Sequence, residues 1–217
     1  MHSKAIEDYK TKLKLTREQR EILVGLVLGD GHLETQNRGR TYRLKVEYSS
    51  SKREYCQHLY ESFREWVLTP PKEKSKHSKG HVSSNFAFNT VSHGAFRFYA
   101  QQFYLDGKKV VPKRLDNMLT PKGLAYWYMD DGSMKSKQSK GVILNTQGFS
   151  RNEVGMLVDL LKEKFSLEAS ERRQKDGYQI YISGKCYELF MALVGNQIHS
   201  SMRYKLPEPR RTQMPKK

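Results

Sequence analysis

Cysteine is almost missing from this chain: only Cys56 and Cys186 occur, far apart and outside any CxxC pattern. That excludes a disulfide framework and a zinc knuckle. There is no apolar run of the roughly 18 residues needed to cross a bilayer, and no strongly amphipathic basic helix of the kind that lies on a membrane surface. Acidic residues are in deficit. Against 23 Asp and Glu stand 39 Lys and Arg, a net charge of +16, and the excess recurs along the chain instead of gathering in one tail. Such a surplus points to a polyanionic partner, because Lys and Arg displace condensed counterions from phosphates. His77 and His81 are four residues apart, but they lie among Lys, Ser and Gly in a segment that does not read as a helix, and Lys72 to Lys79 reads as a basic solvated loop. No zinc pair is expected there. The first 15 residues contain Glu7 and Asp8 and no apolar core, unlike a secretory signal or transit peptide. The chain is expected to act where it is made.

What the chain does have is one short apolar run, present twice and ending each time in Asp-Gly. Leu23 to Gly31 reads Leu-Val-Gly-Leu-Val-Leu-Gly-Asp-Gly, and Leu124 to Gly132 reads Leu-Ala-Tyr-Trp-Tyr-Met-Asp-Asp-Gly. Each run suits a buried helix, which places Asp30 and Asp131 at helix C-termini. A carboxylate there faces the negative end of the helix dipole, and two such helices side by side would add mutual repulsion. A divalent cation held by oxygen ligands reverses both penalties. The pair is therefore expected to bind metal. A single Asp-Gly is explained by a turn after a helix; two, each after a matching apolar helix, are not.

The repeat divides 217 residues into two units: a first half-domain over 16–112, a second over 113–206, an N-terminal extension over 1–15 and a basic, disordered tail over 207–217. Thr16 to Gln19 has capping-box form and opens the first motif helix. Residues 41–49 alternate strictly, with Tyr42, Leu44, Val46 and Tyr48 on one face and Arg43, Lys45, Glu47 and Ser49 on the other, as a half-buried strand does. A helix is expected over about 52–67, a strand over 82–89 and a helix over about 94–104. Thr120-Pro121 starts the second motif helix. A strand over 141–145, a capping box at 150–153 with its helix, a hairpin of 167–173 and 178–183 around Asp176-Gly177, and a helix over about 185–194 complete the second unit.

The two motifs, together with Val142 to Gln147 and Tyr204-Lys205-Leu206-Pro207, resemble the LAGLIDADG homing endonucleases of the single-chain, two-motif type, close to the mitochondrial intron-encoded monomeric members. The resemblance implies an α/β (α+β) fold of two pseudo-symmetric half-domains, in which the motif helices pack at a pseudo-twofold axis and two antiparallel sheets form a DNA-binding saddle. It implies a Mg²⁺-dependent monomeric endonuclease, with Mn²⁺ substituting, that cuts both strands of double-stranded DNA and leaves 3′ overhangs. By motif position the metal-binding acids are Asp30 and Asp131. Gly29 and Asp130, next to them, are included among the expected metal-site residues; Asp130 stands where the family has a small residue, either as a ligand or as an acid one layer further out. Leu28 and Met129 replace the first acid of the consensus. Lys109 and Lys205, each shortly before a Pro, match the family's active-site lysines, with Lys108 the nearest competitor. Arg43, Lys45, Glu47 and Arg172 are the candidates for groove contacts, since strand alternation puts them on polar faces. An RNA maturase on the same scaffold is the rival reading.

Overall fold

The computed structural model describes residues 4–78 and 81–208. After α1 (Lys4–Lys10), Thr16 caps α2 (Arg17–Leu28) reciprocally with Gln19, at 3.1 Å in each direction. A cap of this kind stabilises a helix by about 1 kcal/mol. The first unit continues through β1 (His32–Glu34), β2 (Arg43–Ser49), α3 (Arg53–Ser62), β3 (Lys72–Ser78), β4 (His81–Asn89), α4 (Arg97–Phe103) and the short pair β5 (Tyr104–Leu105) and β6 (Lys108–Lys109). The second runs α5 (Pro121–Asp131), β7 (Gly132–Met134), β8 (Val142–Leu144), α6 (Arg151–Phe165), β9 (Ala169–Gln174), β10 (Gly177–Ile182) and α7 (Tyr187–Val194).

The two sheets share one topology. The first has the order β1-β2-β4-β3 and the second β7-β8-β10-β9, every pairing antiparallel. Each therefore begins with a short strand directly after its motif helix. Leu44, Val46 and Tyr48 of β2 are buried, as are Ile180 and Ile182 of β10, so one face of each sheet lies on the core and the other is left polar.

Helices α2 and α5 pack along their length. Leu23, Leu26 and Val27 of α2 and Leu124, Ala125 and Trp127 of α5 are wholly buried. They meet closely at Gly25, where an added methyl would lie 2.3 Å from the Gly123 carbonyl oxygen and 2.8 Å from Tyr126 Cβ. Only a residue with no side chain permits that distance.

Several elements differ from expectation. The basic stretch from Lys72 is an edge strand instead of a loop, paired with β4 from Lys72↔Ala87 to Ser78↔His81. Lysines are what edge strands carry, because charge discourages a further strand from adding there. The side chains of His77 and His81 lie outside the described residues, as do 209–217 of the basic tail; Pro207 is held by a 3.3 Å hydrogen bond from Tyr187 Oη to its carbonyl. The helix expected over 52–67 ends at Ser62, and a 3₁₀ turn at Arg64–Trp66 then buries Trp66. The helices expected from Gly94 and Lys185 likewise begin as 3₁₀ turns, each capped by the preceding side chain, His93 or Ser183. Strand β9 starts at Ala169, two residues late. The strands β1 and β7 are too short to carry an alternation signal.

Candidate active site and nucleic-acid interface

Asp30 lies just beyond the C-cap of α2, with its side chain 44% exposed, and Asp131 is the last residue of α5, partly buried. Trp127 Nε1 donates to Asp131 Oδ2 at 3.3 Å, and Asn145 anchors the Asp131 carbonyl through its backbone N–H (3.0 Å) and its Nδ2 (2.8 Å). Burial, with the negative charge of Asp30 next, pushes the Asp131 carboxyl up to about 7. The packing of α2 on α5 has thus brought the two motif acids within electrostatic reach of each other.

Two lysines occupy matching places on the two helix ends. Lys109 Nζ donates to the carbonyls of Gly29 (2.7 Å) and Gly31 (3.1 Å), and Lys205 Nζ to those of Met129 (2.6 Å) and Asp130 (2.8 Å). Each ammonium satisfies terminal carbonyls and neutralises the negative end of a helix dipole. Lys109 reaches inward from β6, whereas Lys108 beside it is exposed. Burial lowers the Lys109 pKa, opposed by Asp131, Asp130 and Asp30; burial and the nearby Lys52 bring Lys205 down to about 8.

Asp130 behaves differently from both neighbours. It is 6% exposed, Oδ2 accepts the Asp30 backbone N–H at 3.0 Å, and Oδ1 accepts the Tyr48 hydroxyl at 2.6 Å. Lys52 was not singled out in the sequence, yet its Nζ lies 3.7 Å from Asp30 Oδ2 and 5.2 Å from the Tyr48 ring centroid. It sits at the start of α3, a position that by spacing alone is one more solvated lysine.

Among the described residues, no group of three or more His, Cys, Asp and Glu side chains could hold a metal ion. A closed zinc-type cage is therefore absent from them. Two carboxylates are too few for a closed cage, but they suit a hard cation that keeps several water or phosphate oxygens in its shell. Asp30, Asp131 and the nearby carbonyls are all oxygen donors and fit such an ion.

The polar face of the first sheet leads away from Asp30. Arg43, Lys45 and Glu47 alternate with buried residues along β2. Registers Glu47↔Ala87↔Lys72 and Ser49↔Asn85↔Lys74 add Lys72 and Lys74 to that face, and Asp30, His32, Lys45, Glu47 and Asn85 line one cleft. Arg43 is already paired to Glu34 at 2.6 Å, Lys45 lies 3.4 Å from Glu47, and Asn85 donates to Glu47 at 2.8 Å. In the second sheet Arg172 is exposed on β9, and the registers Gln179↔Arg172 and Tyr181↔Ser170 place Gln179 and Tyr181 on its face. A strand presenting charge on one face and core residues on the other is a form that enters a DNA major groove. Among the described residues, no helix is long and apolar enough to cross a membrane.

Two like half-domains, motif helices in contact and a charged sheet face beside paired acids define a two-motif nuclease architecture. The family model of the LAGLIDADG DNA endonuclease family matches residues 20–190, and the chain belongs to that family. It is 35% identical over 212 residues to the probable intron-encoded endonuclease 1 of Wickerhamomyces canadensis, covering 94% of this chain and 91% of the relative. It is 28% identical over 198 residues to the cytochrome b mRNA maturase bI2 of Debaryomyces hansenii, covering 88% and 74%. Among solved structures, the homing endonuclease I-WcaI bound to its DNA recognition sequence superposes with a TM-score of 0.89 at 35% identity, covering 94% of this chain and 93% of that one. I-DmoI in complex with DNA and Mn shares the fold, with a TM-score of 0.51 at 16% identity over 82% and 96% of the two chains.

Proposed function

We propose that the chain is a monomeric, site-specific homing endonuclease that hydrolyses one phosphodiester in each strand of a long asymmetric double-stranded site, leaving 3′ overhangs. The observation that carries this reading is the convergence of Asp30 and Asp131 at adjoining helix ends, where burial and the charge of Asp30 disfavour the ionised form of Asp131. Asp30 and Asp131 would hold divalent metal, Mg²⁺ by preference with Mn²⁺ as a substitute, and the carbonyl of Gly29 would be available as a further oxygen donor only if Lys109 released it. When bound, such an ion supplies charge stabilisation at the phosphate and a more acidic water. The bound Mn of the I-DmoI complex is in keeping with that donor set.

The chain's own groups do the rest. Lys109 and Lys205, held on the last carbonyls of the motif helices, present positive charge where the pentavalent phosphate develops negative charge. Because both ammoniums are spent on backbone carbonyls in the free protein, DNA phosphate has to compete for them. Lys52 balances Asp30 until then. Two centres related by the repeat cut two strands, so no second subunit is required. The basic sheet faces provide phosphate contacts for affinity and side chains for the major groove.

Kinship with a maturase makes group I intron RNA the second reading, and the scaffold's charge suits RNA equally well. Retention of both motif acids favours the nuclease. Strand nicking assayed with Mg²⁺ against EDTA separates the two: metal-dependent cutting that is lost in Asp30→Asn and Asp131→Asn supports the endonuclease. Stimulated splicing without any cutting overturns it.

A further inference from the structure

Asp30 and Asp131 occupy equivalent motif positions, but the residues just before them do not match: Gly29 in the first motif and Asp130 in the second. The two are neighbours across the helix seam. A methyl placed on Gly29 would fall 2.5 Å from Asp130 Cβ and 2.6 Å from its Oδ2. The Asp130 carboxylate therefore fills the room that the first motif leaves empty, and a side chain at both positions does not fit.

In that room Asp130 makes two side-chain hydrogen bonds, both to the other half of the molecule. Its Oδ2 accepts the backbone N–H of Asp30 at 3.0 Å, and its Oδ1 accepts the hydroxyl of Tyr48, a buried residue of β2, at 2.6 Å. The last amide bonded back into α2 is that of Gly29, to the Gly25 carbonyl, so the Asp30 N–H just beyond it finds its partner outside the helix. With one oxygen on a backbone amide and the other on a buried phenol, the carboxylate is held in one orientation.

Resting on the endonuclease reading above, we infer that Asp130 is a positioning residue for the centre built on Asp30, although it neighbours Asp131 in sequence. Through the Asp30 amide it sets the direction in which the Asp30 carboxylate leaves the helix end. Tyr48 in turn holds Asp130. Such partners of a ligand, one layer back, typically change metal affinity or activity by about 10- to 100-fold when removed.

The consequence is specific to one strand. In full-length protein acting on a supercoiled plasmid, with a site recovered by wild-type cleavage from a randomised DNA library, Asp130→Ala should slow nicking of one strand by about 10- to 100-fold. The strand spared should be the one spared by Asp30→Asn, and not the one spared by Asp131→Asn. Asp130→Asn should cut nearly as wild type, because the amide oxygen still accepts the Asp30 N–H while its NH₂ donates to the Tyr48 oxygen. Independently of cleavage, hydrogen exchange at the Asp30 amide should be slow in wild type and Asp130→Asn and fast in Asp130→Ala. Loss that follows the Asp131 strand, equal loss on both strands, an Asn variant as inactive as Ala, or a protected Asp30 amide in Asp130→Ala each overturns the role given to Asp130. Full cutting by both Asp30→Asn and Asp131→Asn overturns the endonuclease reading itself.

Discussion

Replacing Gly25 by alanine tests whether the motif helices meet as closely as the active site requires. On an uncrowded helix the change would stabilise the protein by about 1 kcal/mol, since glycine is the poorer helix former. Here the new methyl would lie 2.3 Å from the Gly123 carbonyl oxygen and 3.0 Å from the Trp127 nitrogen, both of them backbone. A carbon normally approaches a carbonyl oxygen no closer than about 3.3 Å, so the helices must part by about 1 Å locally. Overpacking of this kind costs up to about 3 kcal/mol, and backbone atoms cannot turn aside as a flexible side chain would. The net loss of about 2 kcal/mol corresponds to a fall in Tm of about 4–8 °C for a chain of this size. Thermal unfolding followed by circular dichroism reads the change directly. Cleavage should fall along with stability, because the seam sets the spacing of Asp30 and Asp131. An unchanged or raised Tm in Gly25→Ala would refute the close packing on which the site depends.

Three further outcomes follow from the same geometry. The raised Asp131 carboxyl means that the metal-free folded state binds a proton more tightly than the unfolded chain does. Its contribution to stability is fully present in acid, below the ordinary carboxylate range, and is lost as pH rises through about 7. Denaturant midpoints without Mg²⁺ should therefore decline between about pH 5 and pH 8, together with the contribution of Asp130, whose carboxyl is also pushed up to about 7 by burial, and Asp131→Asn should make the slope shallower; an unaltered slope would remove Asp131 as one of its sources. Lys205→Met, which frees the carbonyls of Met129 and Asp130, should lower the cleavage rate by about 100-fold or more with little effect on DNA affinity. A loss of affinity with unchanged turnover would make Lys205 a phosphate contact instead. On the sheet face, Lys74→Ala should weaken binding alike on all DNA and reduce the salt slope by about one. Arg43→Ala should impair discrimination between sites more than it impairs unspecific binding, and equal loss on random DNA would assign it to the backbone.

The features readable in the sequence were those written by local patterns. A capping box at Thr16, proline after Thr120 and strict alternation over 42–49 fixed α2, α5 and β2 in kind and nearly in extent. The repeated motif fixed the pairing of the acids. Features built by contacts between distant residues were not readable. The strand β3 was hidden because its lysines and serines resemble a loop, and only its partner β4 makes it a strand. Lys52 reaches Asp30 from the start of another helix, and no spacing rule connects positions 30 and 52. Asp130 is the clearest case: beside Asp131 it reads as one more acid at a metal site, while in the fold both its oxygens turn toward Asp30 and Tyr48. That turn depends on the space opposite Gly29, a hundred residues earlier in the chain.

The most direct test of the central claim is to locate the metal itself. In crystals of the protein with its cleavage-selected DNA and Mn²⁺, anomalous scattering should place manganese about 2.0–2.2 Å from carboxylate oxygens of Asp30 and of Asp131, beside the scissile phosphates and away from the side chain of Asp130. Manganese bound elsewhere, with Asp30 and Asp131 free of it while DNA is held, would contradict the account.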